Sequence, residues 1–422
     1  MVDRKDERQL QSRVPEGALG VGFPQHKVEE VAPKVYCITA FGNVGFVVTD
    51  EGVVVIDTAL RQMGETIREG IREVTDAPIH SVIYTHGHYD HAFGVSALLR
   101  EAEKRGDPKP RIIGHENVVR RFNRYRELQG QQESINRIQF GIPAEMSGAL
   151  RGYHYPDVTY HDRFTFRLGE VTFELRFGMG ETDDATWVWI PERRVVFAGD
   201  FVVWSCPNIG NPFKVQRYET EWADALEQMA SLHPDVLVPG HGPPIRGEEV
   251  QRVCLDTTRA LRHLHEEVVK RLNQGAWIEQ ILEEARLPED LAKKPYLAPV
   301  YGCPTFIIHG IHRRYAGWYD GNPSHLFPSK TRDIAKEVVT LAGGPEVLLN
   351  RAKALKEAGK TQLALHLVDF VLDNPKTAGL KEVHVLKADL LQARADEEPS
   401  FIARNIFING VRLELQASGE GK

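Results

Sequence analysis

The segment THGHYDH, residues 85–91, constrains this chain more than any other feature. His86, His88, Asp90 and His91 crowd three imidazoles and a carboxylate into one short stretch. Neutral imidazole nitrogen and carboxylate oxygen are the donors that suit zinc and related first-row divalent ions. A lone histidine is usually a satisfied structural residue. A cluster this dense gains nothing obvious from sitting at a strand end unless a cation shares its lone pairs. Alternate residues of an extended loop point the same way, so His86 and His88 can share one ion while Asp90 and His91 face a second. Such pairs of ions stand roughly 3.5–4 Å apart.

The flanking pattern supports this placement. HSVIYT (80–85) reads as a strand and residues 92–105 as a helix. A loop between a strand and a helix is where open α/β sheets keep their sites. Upstream, VYCITAFGNVGFVVTDEGVVVID supplies β-branched runs broken by Gly-Asn and Asp-Glu-Gly, which are strands joined by turns. Apolar positions over 61–75 recur with a helical period, and RIIG (111–114) reads as another strand. VTFELRF (171–177), TWVWI (186–190), RVVFAG (194–199) and DVLVPG (235–240) continue the strand pattern, with a helix near 221–232. Sheets covered by helices are the expected result. Residues 116–160, rich in Arg, Gln and Asn with scattered aromatics, read as a helical or loop insertion and a candidate lid.

From about 248 the chain reads as mainly helical. Ala352, Leu355, Ala358 and Gly359, followed by Ala364, Leu367, Val371 and Pro375, have helix-hairpin spacing. They resemble one tetratricopeptide-like unit, and 380–395 begins to resemble a second. One repeat cannot bury its own face, so it should pack on a neighbour or on a partner subunit. Residues 1–30 read as a polar arm and the tail QASGEGK as disordered.

Composition narrows the partners. A length of 422 residues predicts about two to three domains. The net charge of −7 argues against a nucleic-acid polyanion as the main partner. No apolar run approaches the length of about 18 that a membrane span needs. The start, MVDRKDERQLQSRVPEG, has no apolar stretch of the kind that secretion signals carry, so a cytoplasmic protein is expected. Cys37, Cys206, Cys254 and Cys303 form no C-x-x-C pair, which points to free thiols in a reducing compartment.

With its downstream sequence, H-x-H-x-D-H resembles the metallo-β-lactamase superfamily. The resemblance implies an αββα sandwich (class α/β) with ligands on loops at one edge of two sheets, followed here by an all-α, tetratricopeptide-like domain. After the strand 171–177 comes GMGETDDATW, with Glu181 in G-E-T where the superfamily usually has a histidine. FAGD places Asp200 at the bridging carboxylate position, and PGHG places His241 as the last ligand. The acid at 181 resembles the alkyl sulfatase branch, where a second acid follows 19 residues on. Asp200 stands 19 positions after Glu181, an Asp where the branch has Glu. The residues alone leave Asp183 and Asp184 as alternatives to Glu181. Asp57 reads as an orienter of ligand loops rather than a ligand.

ARLPEDLAKKPYL, then YG, then HRRYAGWYDGNPSHLFP is similar to that branch's segment after the catalytic domain. Through RNIFINGVRLEL (404–415) the similarity continues into its all-α dimerisation domain. The branch usually continues into a lipid-carrier-like domain that offers an apolar surface to long alkyl chains; this chain ends before it, a departure that counts against long-chain detergent substrates.

The resemblance implies an arm at 1–30, a catalytic domain at 31–250 and an all-α dimerisation domain at 251–422. It implies a dinuclear zinc-dependent hydrolase of alkyl sulfate esters, with manganese or iron also suited to an acid-rich site. His86, His88 and Glu181 would hold one ion; Asp90, His91, Asp200 and His241 the other, with Asp90 and Asp200 the catalytic carboxylates. A basic residue should hold the sulfate, and Lys214 and Arg217 are the candidates. The expected partners are a small anionic ester and a second copy of the chain. The same scaffold also serves lactone, thioester and phosphodiester hydrolases. A non-catalytic assembly protein using the helical domain is the reading from a different class.

Overall fold

The computed structural model describes residues 27–142 and 152–419. A seven-stranded sheet runs in sequence order through β1 (Val28–Ala32), β2 (Val35–Ile38), β3 (Val44–Thr49), β4 (Gly52–Ile56), β5 (Ile79–Ile83), β6 (Arg111–His115) and β7 (Val158–Tyr160). Its first four strands are antiparallel and β4 to β7 are parallel. A six-stranded sheet follows, from β8 (Arg163–Leu168), β9 (Val171–Gly178), β10 (Ala185–Ile190) and β11 (Val195–Gly199) to β12 (Val236–Pro239) and β13 (Ile245–Arg246). It is antiparallel apart from the parallel pair β11–β12.

The strands read as continuous apolar runs because both faces of each sheet are covered. Val54 and Ile56 face inward with Val188, Ile190, Val195 and Phe197, between the sheets. Their neighbours Val53 and Val55 face outward, onto Ile67 and Ile71 of α1 (Gly64–Val74). The same outer layer holds α2 (Tyr89–Ala92), α3 (Val95–Arg105) and α4 (Glu116–Glu127). On the other sheet, Trp187, Trp189, Val196 and Ala198 face outward, onto Trp222, Leu226 and Met229. Each fully buried aliphatic or Phe side chain contributes about 1.5–3 kcal/mol. Period-two alternation therefore pins the strand registers, since a one-residue slip would exchange the two cores.

The insertion at 116–160 opens with α4 and α5 (Gln129–Phe140). Polar as α4 is, Val118, Phe122 and Tyr125 share one face and bury it. The middle of the proposed lid, 143–151, lies outside the described residues, as do 1–26 of the expected arm. The helix expected over 92–105 divides into α2 and α3 around Phe93 and Gly94.

After β11 come α6 (Glu219–Ser231), α7 (Glu248–Asn273), α8 (Ile278–Glu284), α9 (Glu289–Ala292) and α10 (Pro304–Ala316). The chain divides by packing into one unit of 1–133 with 145–317 and another of 134–144 with 318–422. This division differs from the boundary at 250/251 expected from the onset of helical pattern. Val250, Val253, Cys254, Leu261 and Leu264 of α7 lie in the same core as Trp187 and Trp222, so helices up to Gly317 belong with the sheets.

The second unit holds α11 (Thr331–Leu341), α12 (Pro345–Glu357), α13 (Thr361–Asp373), α14 (Lys381–Glu397) and α15 (Phe401–Ser418). Ala352, Leu355, Ala364 and Val368 make a shared buried seam between α12 and α13, the helix hairpin that the spacing predicts. α15 runs through Ser418, so the tail starts as helix where disorder was expected. No helix among the described residues is long and apolar enough to cross a membrane.

Candidate metal centre

Strands β5, β11 and β12, each in a parallel pair, deliver the motif residues to one place. β5 ends just before Tyr84, and the chain continues through His86 and His88 into α2, which carries Asp90 and His91. β11 ends at Gly199, just before Asp200, and its neighbour β12 ends at Pro239, just before His241. Thr186 N–H of β10 donates to Thr85 O at 2.6 Å and ties the sheets together there. Gly240 N–H reaches Gly199 O and Val202 O, at 2.8 and 3.0 Å, fastening the His241 loop to the Asp200 loop. A Cβ at Gly240 would lie 2.0 Å from Asp200 Oδ1, so only glycine admits the carboxylate.

Asp200 lies between two groups of donors. Its Oδ2 is 3.5 Å from His86 Nε2. Its Oδ1 is 3.2 Å from His91 Nε2 and 3.4 Å from His241 Nε2. Asp90 Oδ2 is 3.5 Å from His241 Nε2 and 3.9 Å from His91 Nε2. His88 Nδ1 is 2.8 Å from His86 Nε2. His86, His88 and Asp200 thus make one cluster of donor atoms, and Asp90, His91 and His241 a second, each within 4.8 Å.

Asp57 fixes which nitrogen of each ring faces inward. Its Oδ1 accepts from Thr85 N–H at 2.7 Å and its Oδ2 from Thr85 Oγ1 at 2.6 Å. Thr85 has one hydroxyl proton and gives it to Asp57, so its oxygen accepts from His86 Nδ1, 3.1 Å away. His86 then carries its proton on Nδ1 and turns a bare Nε2 to the centre. His91 Nδ1 lies 2.7 Å from Asp57 Oδ2 and donates to it, which leaves Nε2 facing Asp200. Orientation of ligand imidazoles by a carboxylate is a regular feature of metal sites. This matches the orienting role expected of Asp57.

The donor set fits a divalent cation. Buried His91 Nε2 and Asp200 Oδ1 make no hydrogen bond, an arrangement that costs free energy unless something else satisfies them. Burial and the neighbouring His91 push His86 down to about 3, so it is neutral and able to ligate. Burial, then His86, holds His88 well below its usual value. Burial also works against protonating His91 and His241, but Asp200, with Asp57 and Asp90 on His91, outweighs it and raises both. Burial raises Asp200, and the imidazoles of His91, His241 and His86 overcome it, leaving it well below the carboxylate range. This second cluster therefore attracts positive charge, which a metal supplies in exchange for protons.

Glu181 is buried beside Asp200 and belongs to neither cluster of donors. Its Oε1 accepts from Asn208 Nδ2 at 3.1 Å and pairs with the Arg217 guanidinium, while Oε2 is buried without a hydrogen bond. Burial pushes its carboxyl up to about 7; Arg217 pulls it down and Asp200 pushes it up. The alternatives Asp183 and Asp184 are engaged elsewhere. Both pair with the buried Arg121, and Asp184 Oδ2 also accepts Gly87 N–H at 3.0 Å.

Arg217 is buried, with its Nη1 on Glu181 and on the Asn208 carbonyl. Lys214 is half-buried, and burial, then Arg217, pushes its ammonium down to about 7 against the pull of Glu181 and Asp90. Asn43, Arg121 and Asn208 also hold the site, yet none stood out in the sequence.

Residues 38–241 match the family described as the metallo-beta-lactamase superfamily, and 277–417 match alkyl sulfatase dimerisation. The chain joins a metallo-β-lactamase domain to an alkyl sulfatase dimerisation domain. It is homologous to alkylsulfatases. It is 26% identical over 346 residues to a linear primary-alkylsulfatase from Pseudomonas, covering 76% of this chain and 65% of that protein. An (R)-specific secondary-alkylsulfatase from Pseudomonas is 26% identical over 420 residues, covering 92% of this chain and 62% of that protein. The chain therefore spans a little under two thirds of the length of these relatives.

A solved stereoselective inverting sec-alkylsulfatase from Pseudomonas matches with a TM-score of 0.82 at 21% identity, covering 94% of this chain and 66% of that one. That likeness bears out the sandwich of the metallo-β-lactamase domain with helices after it. The motif residues of this domain are the ones that the strand ends gather.

Proposed function

We propose that this chain is a dinuclear zinc-dependent hydrolase of alkyl sulfate esters. One observation carries the reading: a single carboxylate, Asp200, divides its oxygens between two clusters of imidazoles. His86 and His88 would hold one ion, with Glu181 Oε2 as the further donor. Asp90, His91 and His241 would hold the other, with Asp200 bridging. Bound divalent ions supply Lewis acidity toward the ester oxygens and toward water. Manganese or iron would suit the same oxygen-rich set.

The chain's own residues do the positioning. Asp57 keeps His86 and His91 in the ligating tautomer. Asp90 and Asp200 are the catalytic carboxylates, placed to orient a water by accepting its hydrogen bonds. Arg217 and Asn208 hold Glu181 in place. Lys214 is the candidate anchor for the sulfate, because an arriving anion would favour its charged form. Arg217 adds positive field behind it. A pair of Pseudomonas alkylsulfatases among the relatives supports the substrate class. The match to the dimerisation family supports a homodimer through the helical part.

The test is sulfate release from short and medium alkyl sulfates by zinc-reconstituted protein. Turnover that falls at least about 100-fold on His88→Ala is expected, the scale on which an essential catalytic element acts. Rapid hydrolysis of a lactone, thioester or phosphodiester with no sulfate release would replace the substrate class. Failure to take up metal after reconstitution would favour an assembly protein.

A further inference from the structure

We infer that Asn43, in the β2–β3 turn, is a positioning residue for the second cluster of donors alone. The inference builds on the proposed two-ion reading. The Asn43 side chain is buried, and its Nδ2 donates to Pro239 O at 2.9 Å and to Gly242 O at 2.7 Å. These carbonyls flank His241 on both sides. The Asn43 backbone N–H donates to Gly240 O at 2.8 Å, so three bonds from one residue fix the His241 loop.

The rest of the turn touches the same cluster. Gly42 adopts φ +77°, and a Cβ there would lie 1.9 Å from Asp90 O, so the turn backbone closes against the Asp90 backbone. Phe41 presents its ring edge-on to the His241 imidazole, with centroids 5.5 Å apart. None of these contacts reaches His86 or His88; Thr85, itself bonded to Asp57, sets His86, and His88 lies against His86. Asp57 is shared by the two clusters, reaching His86 through Thr85 and His91 directly, whereas the bonds that Asn43 donates all go to the His241 loop. Asn43 also explains itself chemically, because a carboxamide is a side chain that offers two donors from one nitrogen to two carbonyls. An isosteric carboxylate has none to give.

Asn43→Asp tests this in the full-length chain. Zinc is titrated into chelator-stripped protein, with calorimetry for the binding constants and elemental analysis for the ion count. Wild type should take up two ions. Asn43→Asp should keep one constant within about twofold and weaken the other at least tenfold. Far-ultraviolet circular dichroism of the metal-free proteins should coincide. If Asn43→Asp does not fold, Asn43→Ser, which retains one hydroxyl donor, takes its place and must show the same one-sided loss. Two unchanged constants, or an equal fall in both, would overturn the inference. Fewer than two ions on wild type would overturn the two-ion reading first, and the inference with it.

Discussion

Asp57 sits at the end of β4 with φ +61°, left-handed backbone that costs a non-glycine residue of order 1 kcal/mol. That cost is offset by the bonds that its carboxylate makes to Thr85 and His91. Asp57→Asn keeps the shape and tolerates the backbone but loses the charge that holds two imidazoles in tautomer. Zinc affinity should fall about 10–100-fold, read by competition with a chromophoric chelator. An unchanged constant would mean that Asp57 serves only the fold. At this scale the sequence was most informative for side chains that offer metal donors. His86, His88, Asp90, His91, Asp200 and His241 announce themselves by chemical type and by following strands. Asn43 does not, because its side chain donates to backbone carbonyls, which any residue carries, and Asn208 does not, because its partner Glu181 lies 27 positions away. Arg121 was equally silent, since its partners Asp183 and Asp184 lie far along the chain.

At the scale of elements, α4 is coupled to the histidine loop through one buried pair. Arg121 Nε donates to Asp184 Oδ2 at 2.8 Å, and that oxygen also accepts Gly87 N–H between the two histidines. Arg121→Met leaves Asp184 buried without its cation and should cost about 3–5 kcal/mol, measured by urea unfolding. The pair also sets a pH dependence. Burial raises the Asp184 carboxyl, but Arg121 overcomes it, so the folded value lies below the unfolded one. The stabilisation is therefore complete above the ordinary carboxylate range and is lost as pH falls through the folded value. Arg121→Met should flatten that acid limb of the stability profile. Strand positions were legible because alternate residues feed different cores. The α4 region was harder to read, because buried Val118, Phe122 and Tyr125 are diluted among arginines and asparagines.

At the scale of the whole molecule, the sheets and helices up to Gly317 share one core, and the helices after Trp318 have their own. A pattern change near 250 marks where strands stop, whereas packing divides the chain near Gly317, because α7 shares the core of the sheets. The second unit exposes Leu341 at 85% and Phe327 at 88%, large apolar side chains that a partner subunit would cover. Sedimentation should give a dimer, and Leu341→Glu should shift it toward monomer; a wild-type monomer at micromolar concentration would contradict the proposed partner. Chelation should lower the thermal midpoint by about 5 °C or more, since ions that bind only the folded state stabilise it. The central claim is that Asp200 stands between two ions. Anomalous diffraction at the zinc edge, from crystals of the zinc-reconstituted protein, tests it most directly. Two peaks roughly 3.5–4 Å apart, one on each side of the Asp200 carboxylate, are expected. A single peak, or none at these residues, would contradict the account.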